Sequence, residues 1–237
     1  MKRALLVGIN YINTPNQLNG CVNDVYCVKE SLEKRGFHVE TLTDSQATRQ
    51  EILLGLMRLV TSDATTLFFH YSGHGASVPD DDGDEVDKID ECLCPVDGTL
   101  IRDDALRGVL CSLQPNQKLF CLLDCCHSGT GMDLKYTYDS QFNTISSNGK
   151  YTDTKGLCIS LSGCTDTQTS SDAYIQGKYQ GALTYAFHKI IEKHASSTLS
   201  YGILLSEVRK LLETEGYTQR PQMTCGKIVD PRSKLFL

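Results

Sequence analysis

Two short stretches carry the side chains best suited to covalent chemistry. Leu67-Phe68-Phe69-His70-Tyr71-Ser72-Gly73-His74-Gly75 reads as a buried strand ending in a glycine-flanked histidine, and some fifty residues on Leu122-Leu123-Asp124-Cys125-Cys126-His127-Ser128-Gly129 repeats the plan with cysteine. Both deliver a reactive side chain to a strand end, the rim of a cleft. A thiol attacks a peptide carbonyl as thiolate; a neighbouring imidazole removes the proton, steadies the anion and later protonates the leaving amine. The tetrahedral oxyanion needs two donors. The backbone N–H groups of Gly75 and Cys126 are the candidates, since glycine permits close approach. A lone strand-end His or a lone Cys is more often structural, so the weight rests on their joint appearance.

His70-Tyr71-Ser72-Gly73-His74-Gly75 together with Asp124-Cys125-Cys126-His127-Ser128-Gly129 resembles type I metacaspases. The resemblance extends to Gly8-Ile9-Asn10-Tyr11, Gly20-Cys21-Val22-Asn23-Asp24, Pro95-Val96-Asp97, Asp133-Leu134 and Ser200-Tyr201-Gly202, nearly the whole chain. It implies a caspase-like fold, Cys126 as nucleophile with Cys125 a bystander, and His74 as base. One departure is that no Pro/Gln-rich or zinc-finger prodomain precedes the first strand.

Asp124 stands two residues before Cys126, so on an extended strand the two side chains share a side. A carboxylate beside a thiolate disfavours it unless a cation comes between, and an Arg or Lys substrate side chain would supply that cation. Asp24 has two readings, a pocket acid or an acid favoured at a helix N-terminus by the dipole. The resemblance implies that Cys21, Asp24, Ser72 and Asp124 line a pocket for a basic residue. No arginine stands beside these motifs to build the basic pocket that cleavage after Asp requires.

Residues 79 to 90 are densely acidic. Asp80, Asp82 and Gly83 fit inner positions of an EF-hand loop, but Val78 and Ile89 would fall on its first and twelfth positions, where ligands are needed. A solvated acidic loop is the plain reading. The resemblance implies instead that Asp90, Asp103, Asp104 and Asp133 bind calcium beside the active site, four carboxylates too repulsive to stand together unneutralised. The implied function is a calcium-dependent cysteine endopeptidase cutting after Arg or Lys. The alternatives are a catalytically inactive calcium-binding regulatory protein of the same fold, and a relative of legumain or gingipain with another specificity. Lys135, Lys150 and Lys155 in the long polar stretch 128 to 155 are conceivable self-cleavage sites.

These side chains need a scaffold. Apolar runs at Arg3–Val7, Phe37–Leu42, Thr66–Tyr71, Lys118–Asp124 and Leu157–Ser162 predict strands. Helical periodicity predicts helices over Asn23–Arg35, Arg49–Val60 behind a Thr48/Glu51 capping box, Ala105–Leu113, Gly181–His194 and Ser200–Glu213. Strands alternating with helices predict an α/β fold, a mainly parallel sheet covered on both faces, with its cleft at the carboxyl ends of the strands. One domain is expected over residues 1–237. A net charge of −6 with no basic cluster argues against nucleic acid as the main partner and leaves peptide or protein substrates. No stretch approaches a membrane span. Eleven cysteines without a Cys-x-x-Cys pair argue against a zinc ribbon and fit reduced thiols, hence a cytoplasmic protein, which the resemblance makes a monomer.

Overall fold

Alternation of buried side chains sets the architecture. In β1 (Lys2–Gly8) Ala4 and Leu6 enter one hydrophobic core while Leu5 and Val7 enter another. A strand apolar on both faces belongs in the middle of a covered parallel sheet. The structure, a computed structural model, describes residues 1–79, 89–126, 131–138, 145–149, 151–163, 172–175, 177–194 and 199–237.

After β1 come α1 (Cys21–Lys34), β2 (Phe37–Thr43), α2 (Arg49–Val60) and β3 (Thr66–Ser72). A hairpin of β4 (Gly75–Pro79) and β5 (Ile89–Leu93) follows, then β6 (Ile101–Arg102), α3 (Asp103–Leu110) and β7 (Lys118–Asp124). Further on lie β8 (Tyr136–Tyr138), β9 (Ile145–Ser147), β10 (Leu157–Ser162), the hairpin β11 (Asp172–Ile175) and β12 (Lys178–Gly181), α4 (Ala182–Lys193), α5 (Tyr201–Thr214) and β13 (Gln222–Cys225). The main sheet has the order β2-β1-β3-β7-β10-β13-β8-β9. The first five strands are mutually parallel, and β13, β8 and β9 extend them antiparallel. Helices α1, α4 and α5 cover one face, α2 and α3 the other. This is the α/β fold, a mainly parallel sheet covered on both faces, that the sequence led us to expect.

The five long strands and α2 lie where the pattern predicts, and Glu51 N–H donates to Thr48 Oγ1 at the start of α2. Helices α1 and α3 begin two residues earlier than predicted, because their first turns carry polar or small residues that periodicity does not register. For Asp103 and Asp104 the first turn is favourable ground, since the helix dipole stabilises acids there.

Pro95-Val96-Asp97 forms a turn. Gly98 N–H returns to the Pro95 carbonyl at 3.1 Å with Gly98 at φ +75°, and Asp97 accepts from Arg49 N–H. The stretch 128 to 155 is not all loop. It supplies β8 and β9, strands of three residues, too short to show a period; β8 is held by pairing with β13 and β9 by pairing with β8. The EF-hand positions 80 to 83 lie outside the described residues, as do His127, Ser128, Gly129 and Lys150.

Candidate active site

The register of two strands brings the predicted dyad together. Ser72 of β3 pairs with Asp124 of β7, so His74 and Cys126 each stand two residues past the same rung of parallel neighbours. Gly73 N–H reaches the Asp124 carbonyl at 3.4 Å, which continues the pairing beyond the strands. One residue later the chains touch: a Cβ at Gly75 would lie 2.0 Å from the carbonyl oxygen of Cys126, so only glycine fits.

Alternation also separates the two cysteines. Odd-numbered Leu119, Cys121 and Leu123 of β7 point into the α2/α3 core, and Cys125 joins them there, buried. Even-numbered Phe120 and Leu122 face α1 and α4, and Cys126, past the strand end, is half-buried. Of the pair, Cys126 is therefore the thiol a substrate can reach.

His74 is held from several sides. Its Nε2 lies 2.7 Å from the Asn16 carbonyl oxygen. A carbonyl only accepts, so Nε2 carries the proton and Nδ1 keeps the lone pair of a base. The Tyr11 ring packs on the imidazole with centroids 4.6 Å apart. His74 N–H donates to Tyr11 Oη at 2.8 Å, Tyr11 O–H donates to the Cys94 carbonyl at 2.6 Å, and Tyr71 O–H donates to the His74 carbonyl at 2.9 Å. Burial pushes both phenols well above their ordinary range, which keeps them neutral donors.

The even-numbered face carries the pocket acids. Ser72 and Asp124 continue Phe68 and Leu122 towards α1 and α4, and both are buried. Ser72 O–H donates to Asp24 Oδ2 at 2.7 Å, and Gly181 N–H lies 2.9 and 3.0 Å from the two Asp24 oxygens. Asp24 sits in the first turn of α1, and these contacts tie it to the ends of β3 and β12. Asp124 Oδ2 accepts Thr184 N–H, in the first turn of α4, at 2.7 Å. The two acids converge on one residue: a Cβ at Gly181 would lie 2.2 Å from Asp124 Oδ2 and 2.8 Å from Asp24 Oδ2. Cys21, the first residue of α1, is buried with its carbonyl packed against Gly8.

The sequence reading missed several of these parts. Asn16 acts through its main chain and Thr184 through its N–H, neither of which residue type announces. Gly181 was legible only as a helix start. His70, in the same motif as His74, faces inward: it is fully buried, its Nε2 lies 3.1 Å from Thr184 Oγ1, and its Nδ1 has no partner among the described residues. Burial lowers its pKa from 6.5 to about 3.

Of the four expected metal ligands, three converge. Carboxylate oxygens of Asp90, Asp103 and Asp104 all lie within 4.8 Å of one another. Asp133 is equally buried, at φ 47°, but is not one of that group; its neighbours Met132 and Leu134 pack into the α2/α3 core. An all-oxygen donor set suits a hard cation such as calcium. Part of the neutralising charge comes from the protein itself, because Arg102 Nη1 donates to Asp90 Oδ2 at 2.8 Å. Lys135 is tied to Asp153 at 2.9 Å, whereas Lys155 is exposed in a stretch without helix or strand.

The family model for the caspase domain matches residues 1–231. Metacaspase-1B of Aspergillus fumigatus is 35% identical, aligned over 97% of this chain and 70% of that protein. Metacaspase-1 of Schizosaccharomyces pombe is 34% identical over 100% of this chain and 70% of its own length. Protein GSU0716 from Geobacter sulfurreducens superposes with a TM-score of 0.74 at 24% identity, over 97% of this chain and 95% of that one. The Drosophila initiator caspase Dronc gives a TM-score of 0.61 at 10% identity, over 99% and 82%. At those identities the two structures speak for the fold alone. Fold, family match and relatives agree: the chain belongs to the caspase-domain family and, within it, to the metacaspases, cysteine peptidases whose substrates are peptides or proteins.

Proposed function

We propose that the chain is an endopeptidase that cuts after Arg or Lys with Cys126 as nucleophile and His74 as base, and that calcium supports its active form. The observation that carries the specificity is the convergence of Asp24 and Asp124 on Gly181, on the sheet face that also leads to Cys126. Burying a carboxylate costs several kcal/mol, while a helix N-terminus returns about 2 kcal/mol at most. A guanidinium or ammonium entering between two such acids offsets much of the remainder, and an acidic side chain would be repelled.

The chemistry follows from the neighbours of each atom. Cys126 Sγ gives its proton to His74 Nδ1 and attacks the carbonyl carbon after the basic residue. Charge collects on the carbonyl oxygen, for which Gly75 and Cys126 N–H groups are the proposed donors. His74 returns the proton to the leaving amine as the peptide bond breaks, leaving a thioester. Water then attacks the thioester while Nδ1 takes its proton, and the thiol is restored as the new carboxylate departs. The Asn16 carbonyl keeps the imidazole in the tautomer this needs.

Calcium, held by Asp90, Asp103 and Asp104 with Asp133 as the fourth proposed ligand, would supply the positive charge that lets these acids stay together. Asp133 follows the nucleophile by seven residues, so neutralising it steadies the segment that carries Cys126. The same reading makes Lys155 the favoured place for self-cleavage and fits a monomer in a reducing compartment, all ten described cysteines being free thiols.

Hydrolysis of Arg, Lys and Asp reporter peptides by wild type, Cys126→Ala, Asp24→Asn and Asp124→Asn tests the proposal. Cleavage of the Arg and Lys peptides alone, lost in all three variants, is the expected result. Undiminished Arg cleavage by both Asn variants sinks the specificity, and by Cys126→Ala the mechanism. Full activity after exhaustive chelation ends the role given to calcium.

A further inference from the structure

Nine large hydrophobic side chains are well exposed among the described residues, and three of them, Tyr26, Tyr174 and Tyr179, meet at one cleft. They come from the outer side of α1 and from the β11–β12 hairpin, and they are 61%, 68% and 43% exposed. The cleft has a volume of about 420 Å³ and includes Cys27 and Lys178 in its lining. Tyr174 and Tyr179 are directly paired across the hairpin, with ring centroids 5.1 Å apart. Cross-strand pairing accounts for those two. It does not account for Tyr26, which an isolated helix surface would have no reason to display opposite them.

The cleft and the pocket for the basic residue share both walls. On α1, Asn23, Tyr26 and Cys27 bracket Asp24, and Asn23 Nδ2 donates to the Tyr179 carbonyl at 3.0 Å. On β12, Tyr179 stands two residues before Gly181, whose N–H holds Asp24. Two residues of strand span about 7 Å. An extended substrate has the same spacing between side chains on one side, so a peptide with its basic residue at Asp24 and Asp124 reaches the cleft two positions away.

We propose that this cleft is a second substrate subsite that takes an aromatic or large aliphatic side chain two positions from the scissile basic residue. The proposal rests on the reading of Asp24 and Asp124 as the pocket for that residue. Aromatic rings facing each other across a cleft favour an aromatic occupant by edge-to-face contact and by the apolar surface it removes from water. Lys178 in the lining decides against a second cationic side chain, which the three rings alone would also have accepted.

The test is a set of Arg reporter peptides in which each flanking position in turn is Gly, Asp, Leu, Lys or Phe. Wild type should cleave the Phe peptide about tenfold more efficiently than the Gly peptide at one such position, the discrimination a single apolar pocket supplies. The ratio should fall to near one in Tyr26→Ala and persist in Tyr26→Phe, each checked for an unaltered thermal melt. Cys126-dependent cleavage of Arg peptides with no flanking preference in wild type overturns the subsite and leaves the primary specificity standing. A preference unchanged in Tyr26→Ala, or a preference for Lys, also overturns it. Absence of any Cys126-dependent Arg cleavage removes the parent reading, and the subsite falls with it.

Discussion

Lowering the pH tests the interior of the site through one residue. His70 is buried against Thr184 Oγ1, and Thr184 N–H in turn holds Asp124, so His70 supports Asp124 from behind. Its folded pKa is about 3 against an ordinary 6.5, and burial alone is the cause. The sign is that of a depressed histidine: stability is complete above pH 6.5 and is lost as the pH falls, because the unfolded chain takes up a proton that the native chain refuses. At pH 5 the loss amounts to about 2 kcal/mol, and it grows further towards pH 3. Urea unfolding between pH 7.5 and pH 4.5 measures it. His188, also lowered by burial, contributes in the same direction, so the comparison is with His70→Gln, which removes only the one titration. The variant's stability should vary less between pH 7.5 and pH 5, by about those 2 kcal/mol, whatever its absolute value. Equal slopes for the two proteins would refute the argument that His70 is neutral in the fold.

Gly181→Ala places a carbon 2.2 Å from Asp124 Oδ2, so the acid must abandon Thr184 N–H. Losing a hydrogen bond to a charged group is worth about 1.5 to 3 kcal/mol, and kcat/KM for an Arg peptide should fall at least tenfold with most of the loss in KM. Tyr11→Phe leaves His74 N–H without its acceptor and takes one of two phenols from the Cys94 carbonyl, which Tyr71 also reaches. Stability should drop by about 1 to 3 kcal/mol in urea melts, with kcat falling more than KM increases. Arg102→Gln removes the internal cation from Asp90. Calcium titrated calorimetrically should bind the variant several-fold more tightly than wild type, and equal affinity would show that Arg102 and calcium do not compete.

What the sequence revealed and what it hid follow one rule. A side chain whose type suggests chemistry was legible as a candidate, and the fold sets Cys126 and His74 past neighbouring strand ends, Asp24 and Asp124 beside Gly181, and Asp90, Asp103 and Asp104 together. Four of the long strands, β1, β3, β7 and β10, were legible too, since five or six consecutive buried residues leave little else for the chain to be. Hidden were the parts whose role belongs to the main chain or to absence. The Asn16 carbonyl, Thr184 N–H, the missing side chain of Gly181 and the three-residue strands β8 and β9 acquire meaning only once distant segments are adjacent. Arg102 shows the converse. Its charge was plain, yet its pairing with Asp90 depends on β5 and β6 lying antiparallel, with Cys92 opposite Arg102. That register brings Asp90, two residues before Cys92 in β5, within reach of the guanidinium. The acid cluster therefore carries a counter-charge of its own at Asp90, with which a metal held there would compete. The proposed calcium requirement is thus a competition between two cations for Asp90, and its strength is set by how readily a 37%-exposed arginine side chain moves aside into water.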